Sequence, residues 1–328
     1  MKNNSPNKTD NINYTFCTLF DKNYLYKGLA LYNSLNNHCK KFTLWILCID
    51  DLTYSILERM RLENVRLILL RDFEDDALRK IKRERTTAEY CWTCTSPLII
   101  YVMQQEPQAS NVAYLDADLF FYANPEPIYD ELGVNSILII GHRFSPEYKE
   151  KESTSGIYNV SMVVFRNDSN GLECLRWWKE QCLKACSLDA GAGQCGDQKY
   201  LDDWTSRFKN VVVLQHKGSG LAPWNIFNYQ FTAVNGKVYV DSDELIFYHF
   251  HSLQITERSF LSRRLILASG GYNFTQQHIA LIYLPYAKEL NRTIKKVKKV
   301  VPDFAWGYKQ LGWYEIVDAF MKGKMLWV

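Results

Sequence analysis

The first 120 positions alternate between short unbroken apolar runs and amphipathic stretches. Residues 14–20 read as a strand buried on both sides, broken by Asp21-Lys22-Asn23. The next stretch sets Leu25, Leu29, Tyr32 and Leu35 on one helical face. Residues 43–49 form a second buried strand ended by Asp50-Asp51, 52–62 a helix, 65–70 a third strand, and 73–85 a helix with a charged face. Residues 96–105 predict another helix, with Pro97 in its first turn, where a missing N–H costs nothing. Residues 112–115 form a strand that runs straight into Asp116-Ala117-Asp118. Strand–helix alternation predicts an α/β fold, a Rossmann-like, mostly parallel sheet with helices on both faces. Unbroken apolar strands agree, because parallel strands are buried on both sides.

Beyond residue 120 the pattern loosens. Strands are expected at 136–141 and 159–165, separated by a polar stretch, 142–154, that reads as a mobile loop. Residues 172–185 predict a helix, and 188–196 are rich in Gly and Ala ahead of Asp197-Gln198. Short strands are expected at 211–214, 237–240 and 245–250, and from His278 onward the pattern is helical, aromatic and basic. The expected organisation is a disordered lead-in at 1–13, one catalytic domain at 14–275 and a helical C-terminal extension at 276–328. No internal repeat or linker divides the chain.

Composition narrows the function. With 328 residues, 47% apolar and 23% charged, the chain is an ordinary globular protein able to bury a large core. A net charge of only +3 argues against a nucleic-acid partner, which needs a strongly basic face. Nine cysteines, an odd number in a long chain, read as reduced thiols of a cytoplasmic protein. Cys91-Trp92-Thr93-Cys94 has CxxC spacing but no second pair to complete a metal site. The lead-in lacks the apolar core of a signal peptide, and no run is long enough to span a membrane.

Asp116 and Asp118 lie one residue apart at the carboxyl end of a buried strand, the edge of an open parallel sheet where ligands bind. Alternate residues on a strand point the same way, so both acids can face one ion. Oxygen donors select a hard cation, Mn²⁺ or Mg²⁺, which can hold a diphosphate as it leaves. The plainer alternative is a strand-end turn with solvated acids.

Further residues make the pair more specific. Asp21-Lys22-Asn23-Tyr24 follows the first strand and precedes a helix. Tyr114-Leu115 leads into the acidic pair about a hundred residues later, Ile157-Tyr158-Asn159-Val160-Ser161 follows, and then Asp197-Gln198, Pro223-Trp224 and His249-Phe250-His251. In residues and near-order this set resembles the GT-A nucleotide-sugar glycosyltransferases, in particular the family 8 enzymes (glycogenin-like and lipopolysaccharide galactosyltransferase-like). The resemblance covers roughly residues 14–255. It departs from the family in placing Pro-Trp before the His and in having Ser161 where the family has Gly.

The resemblance implies a GT-A fold and a metal-dependent hexosyltransferase. Its donor would be a nucleotide-diphosphate sugar, UDP-linked, and its acceptor a glycan or lipid-linked glycan, as in polysaccharide biosynthesis. Thr18, Leu19, Phe20, Asp21 and Tyr24 become candidates for the nucleotide, with Tyr24 able to stack on the base and Asp21 either bonding it or capping the next helix. Asp116, Ala117 and Asp118 complete that set. The metal would take Asp116, Asp118 and one of two histidines, His251 in preference to His249 because it opens the following loop. Asp197 and Gln198 are the candidate catalytic pair. Asp197 could steady positive charge at the anomeric carbon, act as a base in an inverting enzyme, or simply cap the helix through Tyr200 and Leu201. By resemblance Gln198 would lie on the sugar's β face in a retaining enzyme. Asn159, Ser161 and Trp224 are expected at the sugar, and Lys217-Gly218 at the diphosphate.

Two alternatives compete with this reading. A sugar nucleotidyltransferase would carry a Gly-rich basic loop after the first strand, where this chain has Asp21-Lys22-Asn23-Tyr24. A non-catalytic carbohydrate-binding scaffold would have little use for Asp116, Asp118, Asp197 and a late His. In the extension, residues 286–328 hold nine Lys/Arg against four Asp/Glu, among them Trp313, Tyr314 and Trp327. Such a mixture fits either a helix packed on the domain with its lysines in water, or a peripheral contact at the inner face of a membrane.

Overall fold

A computed structural model of the chain describes residues 13–187, 196–260 and 263–328. Apart from Asn13, the lead-in lies outside the described residues, as does nearly all of the Gly-rich approach to Asp197. The N-terminal half alternates β1 (Tyr14–Phe20), α1 (Leu25–His38), β2 (Phe42–Cys48), α2 (Asp51–Met60) and β3 (Val65–Leu69). There follow α3 (Leu70–Phe73), α4 (Asp76–Lys82), α5 (Thr87–Gln105), β4 (Asn111–Leu115), β5 (Leu119–Phe121) and α6 (Glu126–Leu132). Next come β6 (Ile137–Gly141), α7 (Glu152–Ser155), β7 (Tyr158–Arg166), α8 (Ser169–Lys184), α9 (Trp204–Arg207) and β8 (Val211–Val213). The rest comprises β9 (Phe231–Val234), β10 (Lys237–Val240), β11 (Asp243–Glu244), β12 (Phe247–His249), β13 (Gln254–Phe260) and β14 (Arg263–Leu267). It closes with α10 (Gln276–His278), α11 (Leu284–Val300), α12 (Trp313–Met321) and β15 (Met325–Trp327).

Seven strands form the central sheet in the order β3-β2-β1-β4-β7-β6-β8. All run one way except β7, which is antiparallel to β4 and β6. This is the mostly parallel α/β sheet implied by the resemblance. The alternation along each strand divides the core into two layers. Tyr14, Phe16 and Phe20 of β1 pack with Leu44, Ile46, Ala113 and Leu115 against α1, α2 and α11. Cys17 and Leu19 of the same strand pack with Leu47, Val112 and Tyr114 against α5 and α8. Helices therefore cover both faces, and the carboxyl ends of β1 and β4 lie side by side where the strand order reverses.

Several elements differ from the sequence expectation. Helix α5 starts at Thr87, well before residue 96, because Thr86 and Glu89 form a reciprocal capping box. Pro97 therefore lies inside this 19-residue helix, and so does the Cys91–Cys94 pair. The helix expected at 73–85 is divided into α3 and α4, with Asp75 capping the second through the Leu78 N–H at 2.9 Å. The expected loop at 142–154 contains a 3₁₀ turn, Pro146–Lys151, and α7. The extension is not wholly helical, since β15 pairs antiparallel with β14.

Nor does the extension stand apart from the domain. Tyr286, Leu290, Ile294 and Val297 of α11 belong to the same buried layer as Tyr26 and Leu29 of α1. The Thr293 hydroxyl donates to the Tyr26 carbonyl (3.2 Å), and the Tyr26 and Tyr308 hydroxyls meet at 2.8 Å. Gly307, at φ +82°, lets the chain pass so close that a Cβ there would lie 2.7 Å from the Asn23 carbonyl oxygen.

Helix α1 approaches β1 equally closely at Gly28, where a Cβ would come within 2.3 Å of the Phe20 ring. Phe20 is buried at the strand end that leads to Asp21, so the ring has no room to yield. We expect Gly28→Val to cost roughly 1–3 kcal/mol, seen as a lower urea midpoint with an unchanged slope.

Candidate active site at the carboxyl edge of the sheet

The turn after β1 is held by two aspartates. Asp21 folds back on its own turn, accepting from the Asn23 backbone N–H (3.0 Å) and side-chain amide (2.7 Å). It does not cap α1, whose N-cap residue is Tyr24. Asp50, at the end of β2, accepts from the Lys22 N–H and, as N-cap of α2, from the Thr53 N–H, each at 2.8 Å. The turn and its neighbour are thus fastened by one carboxylate. Thr18, Leu19 and Phe20 are buried, leaving Asp21 half-buried and Tyr24 exposed at the edge. One helical turn on from Tyr24, Lys27 lies with its ammonium 4.4 Å from the Tyr24 ring centroid.

Lys27 leads to the acidic pair, its Nζ lying 3.6 Å from Asp118 Oδ2. The other Asp118 oxygen, Oδ1, is 3.1 Å from His249 Nε2, which is itself 3.8 Å from Asp116 Oδ2. Strand pairing explains how a residue so distant in sequence arrives there. β12 runs antiparallel to β5 with His249 opposite Leu119, and the Phe250 N–H donates to the Asp118 carbonyl at 3.0 Å. Asp116 is anchored by its N–H to the Ser161 carbonyl (2.8 Å) and accepts from the Tyr114 hydroxyl (3.1 Å). Ala117 is buried between the two acids.

The charges divide unequally. Burial works against ionised Asp118, but His249 and Lys27 more than offset it and hold its pKa well below the carboxylate range. Desolvation, eased by His249 but reinforced by Asp118, pushes Asp116 up to about 6. Burial of His249 is outweighed by Asp118, so its pKa is raised. Burial lowers that of Lys27 despite Asp118.

Donor atoms of Asp116, Asp118 and His249 lie within 4.8 Å of one another, the one such group among the described residues. His251 is not in that group. Two positions along from His249, it lies at the surface with its ring 5.8 Å from that of His249. Both rings flank Trp224, at 5.4 Å for His249 and 5.6 Å for His251.

Next to the pair lies a second polar cluster. Asp197 is buried, and burial followed by the charge on Asp116 pushes its pKa up to about 7. It is no helix cap: its side chain caps nothing in the turn that follows, its Oδ2 has no hydrogen-bond partner among the described residues, and its carbonyl accepts from Trp178 Nε1 (3.0 Å). Gln198 Oε1 accepts from the Asn159 amide at 3.2 Å. That amide also faces His142 Nε2 at 3.2 Å, while Asn159 Oδ1 accepts from the Ser161 N–H at 2.9 Å. The orientation of Asn159 is therefore fixed from three sides. Trp224 is buried and donates through Nε1 to the His142 carbonyl (3.0 Å), so its ring serves to pack the histidines.

Lys217 forms an ion pair with Asp241 (2.8 Å), its N–H donates to Asp243, and the Gly218 carbonyl accepts from Ile246 N–H at 2.7 Å.

Sequence reasoning gave no role to Lys27, Asp50 or His142. The i, i+3 spacing of Tyr24 and Lys27 was a visible signal for the first. Asn225, which its place beside Trp224 offers as a residue lining the sugar or acceptor side, donates through its amide to the carbonyls of His142 (2.9 Å) and Gly220 (3.0 Å), and its Oδ1 accepts from Ala222 N–H (2.9 Å). It joins two loops that only the fold brings together.

His142 offers a test of this packing. Burial drives its pKa down to about 3. As pH falls below about 6.5, the unfolded chain takes up a proton that the folded imidazole refuses. The native state should therefore lose up to about 1.4 kcal/mol per pH unit through this group. Urea titrations between about pH 6.5 and about pH 5 should show a shallower loss in His142→Asn than in the parent chain.

No family model matches the chain. Among solved structures it is similar to an active-site mutant of LgtC (12% identity, 86% of this chain and 95% of that one, TM-score 0.47). It is also similar to the apo form of the glycosyltransferase GlyE of Streptococcus pneumoniae TIGR4 (13%, 88% and 64%, TM-score 0.48). Two proteins of Bacillus subtilis (strain 168) are nearer in sequence. The uncharacterized protein YfnD is 33% identical over 299 residues, covering 90% of this chain and 94% of its own length. The uncharacterized protein YfnF is 30% identical over 296 residues, covering 88% and 95%. With that identity sustained over almost the whole of both sequences, the chain belongs to the family of YfnD and YfnF.

Proposed function

We propose that the chain is a metal-dependent glycosyltransferase. It takes a hexose from a UDP-linked donor and transfers it, with retention, to a glycan or lipid-linked glycan. The observation that carries this reading is the convergence of Asp116, Asp118 and His249 at the carboxyl edge of the sheet, next to the strand reversal. Their donor set fits a divalent cation: Lys27 approaches only one oxygen of Asp118 and the Tyr114 hydroxyl only one of Asp116, leaving Asp118 Oδ1, Asp116 Oδ2 and the imidazole nitrogen close together. An imidazole among carboxylates favours Mn²⁺ over Mg²⁺. Bound there, the ion would supply positive charge to a departing diphosphate.

The chain's own side chains would do the rest. The Tyr24 ring offers a stacking face at the edge of β1, and Asp21 a carboxylate for the base. Asn159 orients Gln198, whose own amide N–H groups are left to face the sugar. Asp197 would bear on positive charge developing at the anomeric carbon, which a buried carboxylate stabilises strongly. Its burial suits a group facing the donor better than a base reaching into solvent for an acceptor hydroxyl, and so favours retention.

Thermal shift with UDP-sugars should show a rise in melting temperature that increases with Mn²⁺, by mass action. Asp118→Asn should abolish the Mn²⁺-dependent part of that rise, and an unchanged rise would remove Asp118 from the metal site. Asp197→Asn should keep donor binding while slowing release of free UDP by about 100-fold or more. Turnover that depends on pyrophosphate would instead mark a nucleotidyltransferase, and donor binding without turnover a scaffold.

A further inference from the structure

Helix α12 is apolar almost all round, yet only one side of it is packed. Ala319 sits over Leu265 and Leu267 of β14, with Leu311 and Met325 beside them. The opposite side presents Trp313 (75% exposed), Tyr314 (86%), Phe320 (69%) and Met321 (76%), with Val317 between. At 100° per residue these positions form one continuous arc. Trp327 of β15 lies opposite Leu265 in the sheet, on the face that α12 covers, and extends the apolar surface. A soluble helix this apolar would ordinarily be buried, so the outer arc calls for a covering partner.

We propose that this arc lies on an anionic lipid surface. A second copy of the chain is a poor occupant: nine residues of helix are about 14 Å long and about 10 Å across, far short of the roughly 800 Å² per partner of a stable interface. A lipid surface asks only for an amphipathic face. Trp and Tyr suit the headgroup boundary, and the aliphatic side chains reach below it. Lysines bracket the helix, Lys309 bonded to Glu315 in its first turn and Lys322 to Asp318 near its end. In the same C-terminal segment, Lys295, Lys296 and Lys299 are exposed on α11 with no acidic partner among the described residues. Residues 286–328 carry nine Lys/Arg against four Asp/Glu, which complements anionic headgroups. Among the described residues no helix is long and apolar enough to cross a membrane, so the contact is one that lies on the surface.

This inference does not depend on the sugar-transfer reading, and its test uses no donor or metal. The intact chain is sedimented with phosphatidylglycerol vesicles and with phosphatidylcholine vesicles at low salt. Sedimentation with the first and much less with the second is expected. Trp313→Ser together with Phe320→Ser should cut the bound fraction roughly tenfold or more. Replacing Lys295, Lys296 and Lys299 by Gln should weaken binding and flatten its salt dependence. All five side chains are exposed, so the melting temperature should stay unchanged and report that the variants fold. Failure of the parent chain to sediment with either lipid overturns the proposal. So does a parent dimer in light scattering that the Trp313/Phe320 double variant returns to monomer, which would make the occupant a second copy.

Discussion

Two carboxylates face one another at the edge of the sheet, and one of them, Asp118, is almost out of water. Such a group stays ionised only if nearby positive charge replaces its lost hydration. Lys27 and His249 supply that charge from two elements that otherwise have no reason to meet. The requirement fixes the geometry of the site. Helix α1 must begin where it does so that Lys27 follows Tyr24 by one turn. The β12 strand must pair with β5 in the register that sets His249 opposite Leu119. Asp116, more open and bonded to a neutral phenol, is left as the readily titrated partner.

Packing around this charge cluster is aromatic and backbone-directed. Trp224 stands among His142, His249 and His251, and its indole N–H is spent on a carbonyl. Asn225 satisfies all its hydrogen-bonding groups on three backbone partners. These residues hold the loops after β6 and β8 at a fixed distance from the acidic pair. They act on the histidines by contact, with no charge of their own. Asp197 and Gln198 enter from the opposite core layer through Trp178 and Asn159, so both layers contribute to one site.

Much of this was legible in the sequence. Unbroken apolar strands between amphipathic stretches announced a parallel sheet buried on both faces, and the observed order places Asp116 at the predicted carboxyl edge. What escaped was decided either by a competing local signal or by contacts made far along the chain. Pro97 looked like a helix start, whereas Thr86 and Glu89 had already begun α5 nine residues upstream by satisfying the free N–H groups of its first turn. Asp21 looked like a cap, but its nearest donors belong to Asn23. The grouping of His249 in place of His251 turns on a strand register that no short stretch encodes. The three-residue strand β15 exists only because β14 offers it an edge, and Lys217 finds Asp241 through a hairpin formed later in the chain.

The joint between Gly307 and Asn23 has an implication for how the molecule is made. The first turn of α1, which carries Tyr24 and Lys27, is wedged from behind by Phe304 and Tyr308, synthesised almost three hundred residues afterwards. While a ribosome is still extending the chain, β1 and α1 can assemble with β2, but nothing yet backs the bend between them. The contacts that back this turn form only when nearly the entire polypeptide has emerged, so a nascent chain would hold Tyr24 and Lys27 on a turn that nothing yet supports from behind.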